Sequence, residues 1–108
     1  MTKIHRVVVR GHFDGLDENT RGLLLAEAGE HEIFRSAFTA DGTFTYDDRL
    51  VAFNVRYEIR VPDDDDTSDP EAAVVDLAID RTTRWLTSVG IGHKHLRATA
   101  TDMTSAWR

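Results

Sequence analysis

The residues from Val51 to Val61 alternate without interruption. Val51, Phe53, Val55, Tyr57, Ile59 and Val61 are apolar or aromatic, and Ala52, Asn54, Arg56, Glu58 and Arg60 stand between them. A period of two sends successive side chains to opposite faces, so the segment reads as a strand with one face in a core and the other toward water. Pro62 ends it, because proline has no N–H for a sheet ladder. Such a strand needs neighbours to pair with and something apolar to cover one face. The rest of the chain is read for both.

Val7, Val9 and Phe13 share one parity, with Arg6, Arg10 and His12 on the other, which gives a first strand over Ile4–Phe13. Asp14-Gly15 marks a turn. Asp17 is the expected N-cap of a first helix running to about His31, with Leu23, Leu24, Leu25, Ala28 and Ile33 on its apolar side. A second strand is expected from Ala37 to Tyr46, with Phe38, Ala40, Phe44 and Tyr46 facing inward and Asp41-Gly42 marking a bulge or hairpin tip. Asp47-Asp48-Arg49 then reads as the turn into the third strand.

Residues 62–69 form a charged connection. Its run Asp63-Asp64-Asp65-Asp66 offers oxygens that suit Ca²⁺, yet it lacks the spacing and glycine of a binding loop and reads as a linker. Asp69-Pro70-Glu71 supplies a cap, a first-turn proline and a first-turn acid. Val75, Ala78, Ile79, Thr82, Trp85, Leu86 and Val89 fall on one face of the helix that follows, and Gly90 is its natural stop. A last strand runs from Leu96 to Met103. Trp107 lies in a tail whose structure the pattern does not specify.

The element order is therefore β-α-β-β-α-β. With right-handed crossovers this order gives an α+β, ferredoxin-like βαββαβ two-layer sandwich, whose antiparallel sheet has the order 4-1-3-2 and carries both helices on one face. At 108 residues and 12.2 kDa the chain suits one domain spanning 1–108, and 41% hydrophobic residues are enough to build a core. There is no cysteine, which excludes disulfides, thiolate metal sites and cysteine nucleophiles. An uncrosslinked chain with no membrane-length apolar run and no signal-peptide core is expected in the cytoplasm.

The fold sorts the charges. The polar parities face away from the helices, which places Arg6, Arg10, Arg56, Arg60 and Arg97 on the open sheet face with Glu58 as the one acid among them. In a chain of net charge -6, the helices and loops are then strongly acidic. An arginine- and threonine-lined platform suits an anionic small molecule, because guanidinium forks match carboxylate and phosphate. A solvated sheet face accounts for the same residues, since arginine and threonine are ordinary strand residues. Nucleic acid is set aside, because Arg6, Val8, Arg10, Asn54, Arg56 and Glu58 leave the central strands no aromatic on which a base could stack. A dry, face-to-face sheet dimer is disfavoured by the same residues, and a wet or edge-paired homodimer remains open.

At one end of the sheet, the end of the first strand should meet the start of the fourth. That brings His12 toward His93 and His95, with Arg60 nearby at the end of a third strand taken to run parallel to the first. Histidines at i and i+2 with His12 could ligate a metal, could provide acid–base chemistry beside an anion, or could be exposed residues at strand ends. The ligand-binding set expected from these patterns is Arg10, His12, Arg56, Arg60, His93 and Arg97. No cofactor and no metal are assigned. A homo-oligomeric or protein-interaction module without catalysis and a histidine-based metal-dependent enzyme stand as alternatives. His5 and His31 read as structural.

Around Val9–Leu16, the strand–Gly11-His12-Phe13-Asp14-Gly15–helix arrangement resembles the phosphate cradle of acylphosphatases. That resemblance implies the ferredoxin-like order and backbone N–H groups turned toward an anion. The chain departs from the pattern where the family places an arginine, since Leu16-Asp17-Glu18-Asn19 stand there, and the family's asparagine has no counterpart in the second strand. Over nearly its whole length the chain is similar to a group of small actinobacterial proteins, in Val7-Val8-Val9-Arg10-Gly11-His12-Phe13-Asp14-Gly15-Leu16, in Phe53-Asn54-Val55-Arg56-Tyr57-Glu58 and in Leu96-Arg97-Ala98-Thr99-Ala100-Thr101-Asp102-Met103. The resemblance implies an intracellular bacterial protein and brings no activity with it.

Overall fold

In the computed structural model the alternating segment is β3, Ala52–Pro62, and it is central. β3 pairs antiparallel with β1 (Thr2–Phe13) from Thr2↔Pro62 to His12↔Ala52, and its other edge carries β2 (Thr43–Tyr46). β4 (His93–Asp102) pairs antiparallel with the far side of β1. The sheet order β2-β3-β1-β4 is the expected 4-1-3-2 read from the other edge, and the architecture is α+β. The structure describes residues 2–31, 37–62 and 69–103; Ile33, the Asp63–Asp66 run and Trp107 lie outside them.

Capping sets both helix starts. Asp17 accepts a 2.7 Å hydrogen bond from the Thr20 N–H at the start of α1 (Glu18–Glu27), and that bond holds its carboxyl below the usual range. Asp69 accepts from the Ala72 N–H in the same way before α2 (Pro70–Ser88). α1 ends earlier as an α-helix than expected and finishes in a 3₁₀ turn over Ala28–His31. Gly90, at φ 76°, stops α2 in the left-handed conformation that glycine adopts without strain.

Both helices reach the same set of inward strand residues. The Tyr57 hydroxyl pairs with Thr82 Oγ1 of α2 at 2.8 Å, and the Tyr46 hydroxyl donates to the Leu24 carbonyl of α1 at 2.7 Å. Between them lies an aromatic cluster of Phe13, Phe44, Tyr46 and Phe53, with Val7 and Val9 fully buried beside it. Close-packed interiors of this kind resist changes of even one methylene.

The expected helix faces need correction. On α2 the expected Ala78, Thr82 and Leu86 are buried and Ile79 packs partly against the core, with Val74 joining them in place of Trp85 and Val89. Trp85 and Val89 are 41% and 49% exposed, although the Trp85 ring still packs on Phe44 at 5.0 Å. On α1 only Leu24 is buried; Leu23 and Leu25 face outward, because the short helix touches the sheet at Tyr46 rather than along its length.

The second strand also differs. Only Thr43–Tyr46 pairs as a strand, and Thr39 makes a single parallel bridge to Tyr57 instead. A turn in which Gly42 N–H donates to Thr39 Oγ1 reverses the chain between them. Gly42 has φ 92°, and a Cβ there would lie 2.5 Å from the Tyr57 ring. Phe38 is thereby freed from the inward parity. Its ring lies 5.0 Å from the Arg6 guanidinium and 5.6 Å from that of Arg56, on the open face of the sheet.

Candidate functional site

A one-residue irregularity shapes the open face. β1 and β4 stay in register from His5↔Asp102 to Arg10↔Arg97, and then shift so that His12 faces Lys94 and Phe13 faces His93. One residue separates Arg10 from His12, while His95 and Leu96 separate Lys94 from Arg97, so β4 carries a bulge. His95 takes it up at φ 58°, a conformation that costs most residues about 1 kcal/mol.

The bulge decides which histidines meet. Even spacing along an unbroken strand would set His93 on the same side as Arg97. The extra residue reverses that parity and pairs His93 with inward Phe13, where its Nδ1 lies 3.0 Å from the Ile91 carbonyl. His95 instead turns toward His12, their ring centroids 5.7 Å apart and nearly perpendicular. The expected convergence therefore holds for two histidines of the three. Among the described residues no group of three His, Asp or Glu side chains is placed to hold a metal.

A cavity of about 620 Å³ opens beside this pair. Arg10 and Arg97, directly opposite each other across β1 and β4, line one side, and His12 and His95 line the end. Thr45 and Asn54 close the β2 side, where the Thr45 hydroxyl donates to Asn54 Oδ1 and leaves the amide N–H groups to point elsewhere. Asp47, from the β2–β3 turn, is the one carboxylate of the lining. Arg10 is braced by a 3.0 Å hydrogen bond from its Nη1 to Thr99 Oγ1, and His12 Nδ1 is buried with no hydrogen-bond partner.

Of the six residues expected from sequence, Arg10, His12 and Arg97 line this cavity. Arg56 sits beyond Asn54 on the same face, roughly 7 Å further along the strand, under the Phe38 ring. His93 is on the helix side. Arg60 corrects a strand direction: β3 leaves the β2 hairpin antiparallel to β1, so Arg60 pairs with Ile4, roughly 26 Å from Ala52 and the histidines. The cavity residues that the expected set omits include His95, Thr45, Asp47 and Asn54. Asp47 had a signal, since a turn after β2 must arrive beside the end of β1.

The glycine segment is mostly strand, with only Asp14 and Gly15 beyond the end of β1. Gly11 and His12 lie within the strand, Phe13 N–H donates to the Val51 carbonyl and Asp14 N–H to that of Gly92, each at 2.9 Å. These donors are therefore spent on backbone pairing rather than turned toward an anion. Gly11 is required by packing, because a Cβ would come within 2.6 Å of Leu96 Cδ2 and 2.8 Å of the Phe53 ring.

One protein-family model matches residues 1–107, nearly the whole chain. The chain belongs to DUF6204, a family of unknown function. Neither curated proteins nor solved structures give a match to this DUF6204 chain. Its described residues include no helix long and apolar enough to cross a membrane.

Proposed function

We propose that this DUF6204 protein binds an anionic small molecule in the cavity at the end of its open sheet face. The observation that supports the reading most directly is the pair Arg10 and Arg97, which face each other in register within a cavity of about 620 Å³. That volume falls in the range of roughly 300–1,000 Å³ used for small ligands. Two guanidinium groups converging on one concavity offer a fork for a carboxylate or phosphate, and each charge-assisted hydrogen bond contributes about 1.5–3 kcal/mol. His12 and His95 add two imidazoles at the same end, placed to donate to the anion or to a group beside it.

The arginines further along the face serve a different purpose. Arg6 lies 4.0 Å from Glu58, and both Arg6 and Arg56 stack on Phe38. The ring covers the middle of the sheet and confines an anion to the Arg10 end. The sheet order and the shared inward residues of the two helices support the ferredoxin-like arrangement that sets this face open.

Thermal denaturation against carboxylates and phosphate esters, at constant ionic strength, tests the reading. Saturation at about tenfold Kd stabilises the folded state by roughly 1.4 kcal/mol, a shift of about 4–8 °C for a domain of this size. The shift should vanish in Arg10→Ala/Arg97→Ala, whose exposed side chains are not needed for folding. A panel that moves the melting temperature no more than chloride does would overturn it.

A further inference from the structure

His12 and His95 line a second hollow as well as the first. On their other side lies a space of about 400 Å³ whose walls include Phe13, Leu50, Val51 and Lys94. Lys94 is engaged by Asp14 at 3.7 Å and Leu50 is buried, which leaves Val51, 58% exposed, as the apolar surface this hollow offers. Leu50 and His95 are also the only non-glycine residues with positive φ among the described residues, at 53° and 58°. Both strained positions therefore border the same hollow. Backbone strain of this kind concentrates where a protein holds a ligand.

The charges of the first cavity restrict what its anion can be. Two arginines face one aspartate, Asp47, so a single negative charge is matched and a second would meet a carboxylate. From these observations, and resting on the anion-binding reading, we infer that the ligand is an amphipathic monocarboxylate. Its carboxylate lies between Arg10 and Arg97, and its apolar tail passes the His12–His95 pair to end on Val51. The two ends lie three strand residues apart, roughly 10 Å. A tail laid on Val51 removes apolar surface from water, worth about 0.8 kcal/mol per methylene, or about fourfold in affinity.

Titration of the full chain with straight-chain carboxylates from acetate to decanoate tests this. Affinity should rise about fourfold per methylene between hexanoate and decanoate. In Val51→Asp the rise should flatten while butanoate binding stays unchanged, and in Arg10→Ala every member should bind at least tenfold more weakly. Decanedioate, long enough for its second carboxylate to lie at Val51, should bind at least tenfold more weakly than decanoate. Binding of short carboxylates that depends on Arg10 but not on chain length would overturn the inference and leave the anion site standing. A length dependence that survives equally in Val51→Asp would overturn it too, since the tail then lies elsewhere. No binding by any member, with phosphate esters still stabilising the chain, would overturn the inference alone; no binding by either class would overturn both readings.

Discussion

His12 and His95 meet edge to face, with ring centroids 5.7 Å apart, although their strands are not in register at that point. The contact exists because β4 holds one residue more than β1 between the ladder pairs on either side. The same bulge turns His93 inward, swings His95 over the open face and leaves Arg97 opposite Arg10. A single backbone irregularity thus assembles the end of the cavity, and the Phe38 ring on Arg6 and Arg56 bounds the face on the other side. Where the chain would otherwise present an even row of arginines, it presents a closed middle and an open end.

Gly92 anchors that end. Its carbonyl accepts from Asp14, and a Cβ at residue 92 would collide with the Asp14 carbonyl oxygen. Gly92→Ala must displace backbone, so we expect a loss of about 3 kcal/mol in urea denaturation. Gly22→Ala is the control: nothing lies within 4 Å of its Cβ, and an exposed helical glycine replaced by alanine should gain about 0.5–1 kcal/mol. Equal effects at the two sites would contradict the packing described around Gly92.

Tyr57 should make the fold sensitive to alkali. Burial pushes its phenol above the usual value, and the hydrogen bond to Thr82 offsets that only in part. The folded state therefore holds the proton more tightly than the unfolded state. Its contribution is fully present below pH 10, the unfolded value, and is lost as pH rises through the raised folded value. Urea midpoints should accordingly be flat across neutral pH and fall above about 10. Tyr57→Phe should weaken that fall while costing about 1–2 kcal/mol at pH 7, because buried Thr82 loses its partner. An unchanged alkaline slope in the variant would assign the effect to other groups.

His5 points into the core. It is 3% exposed, and its Nδ1 has no hydrogen-bond partner, so folding strips it of water without replacing the bond. His5→Leu fills a similar volume with no polar atom, and we expect it to raise stability by about 1 kcal/mol at pH 7, read as a higher urea midpoint at constant slope. A lower midpoint would show that the imidazole contributes more than its packing.

How much of this was legible in the sequence follows from the range of the signal. β3 was readable because its alternation is uninterrupted, and Asp17 and Asp69 because a cap acts within three residues of itself. The strand order followed from the sequence of elements. The bulge was not readable, since the residue in the left-handed conformation is a histidine where glycine is usual, and nothing nearby in sequence distinguishes it. Phe38 fitted the parity of Phe44 and Tyr46 as written, and only the turn at Thr39–Gly42 moves it to the other face. Arg60 was misplaced by strand direction alone, for a hairpin between β2 and β3 makes β3 run against β1. Three of the six expected ligand residues line one cavity because β1 and β4 do pair at that end; His93 turned on parity, Arg60 on strand direction, and Arg56 keeps its face but lies two residues too far along β3.

His95 separates stability from binding. Its φ of 58° is a cost the fold bears at a position where the side chain lines both hollows. Glycine adopts that conformation freely, so His95→Gly should stabilise the protein by about 1 kcal/mol and raise its melting temperature by about 4–8 °C. The same change removes an imidazole from the cavity and the ring that meets His12. Anion affinity should therefore fall about tenfold, as expected for one lost hydrogen bond of about 1.4 kcal/mol. A control at the other left-handed position makes the comparison specific: Leu50→Gly should also relieve backbone strain, but it empties a core position that is 4% exposed and so should not stabilise. Calorimetry with and without octanoate reads both quantities on the same samples. A His95→Gly protein that is no more stable and binds as well as the parent would mean that the left-handed histidine is a packing accident, with no part in holding the ligand.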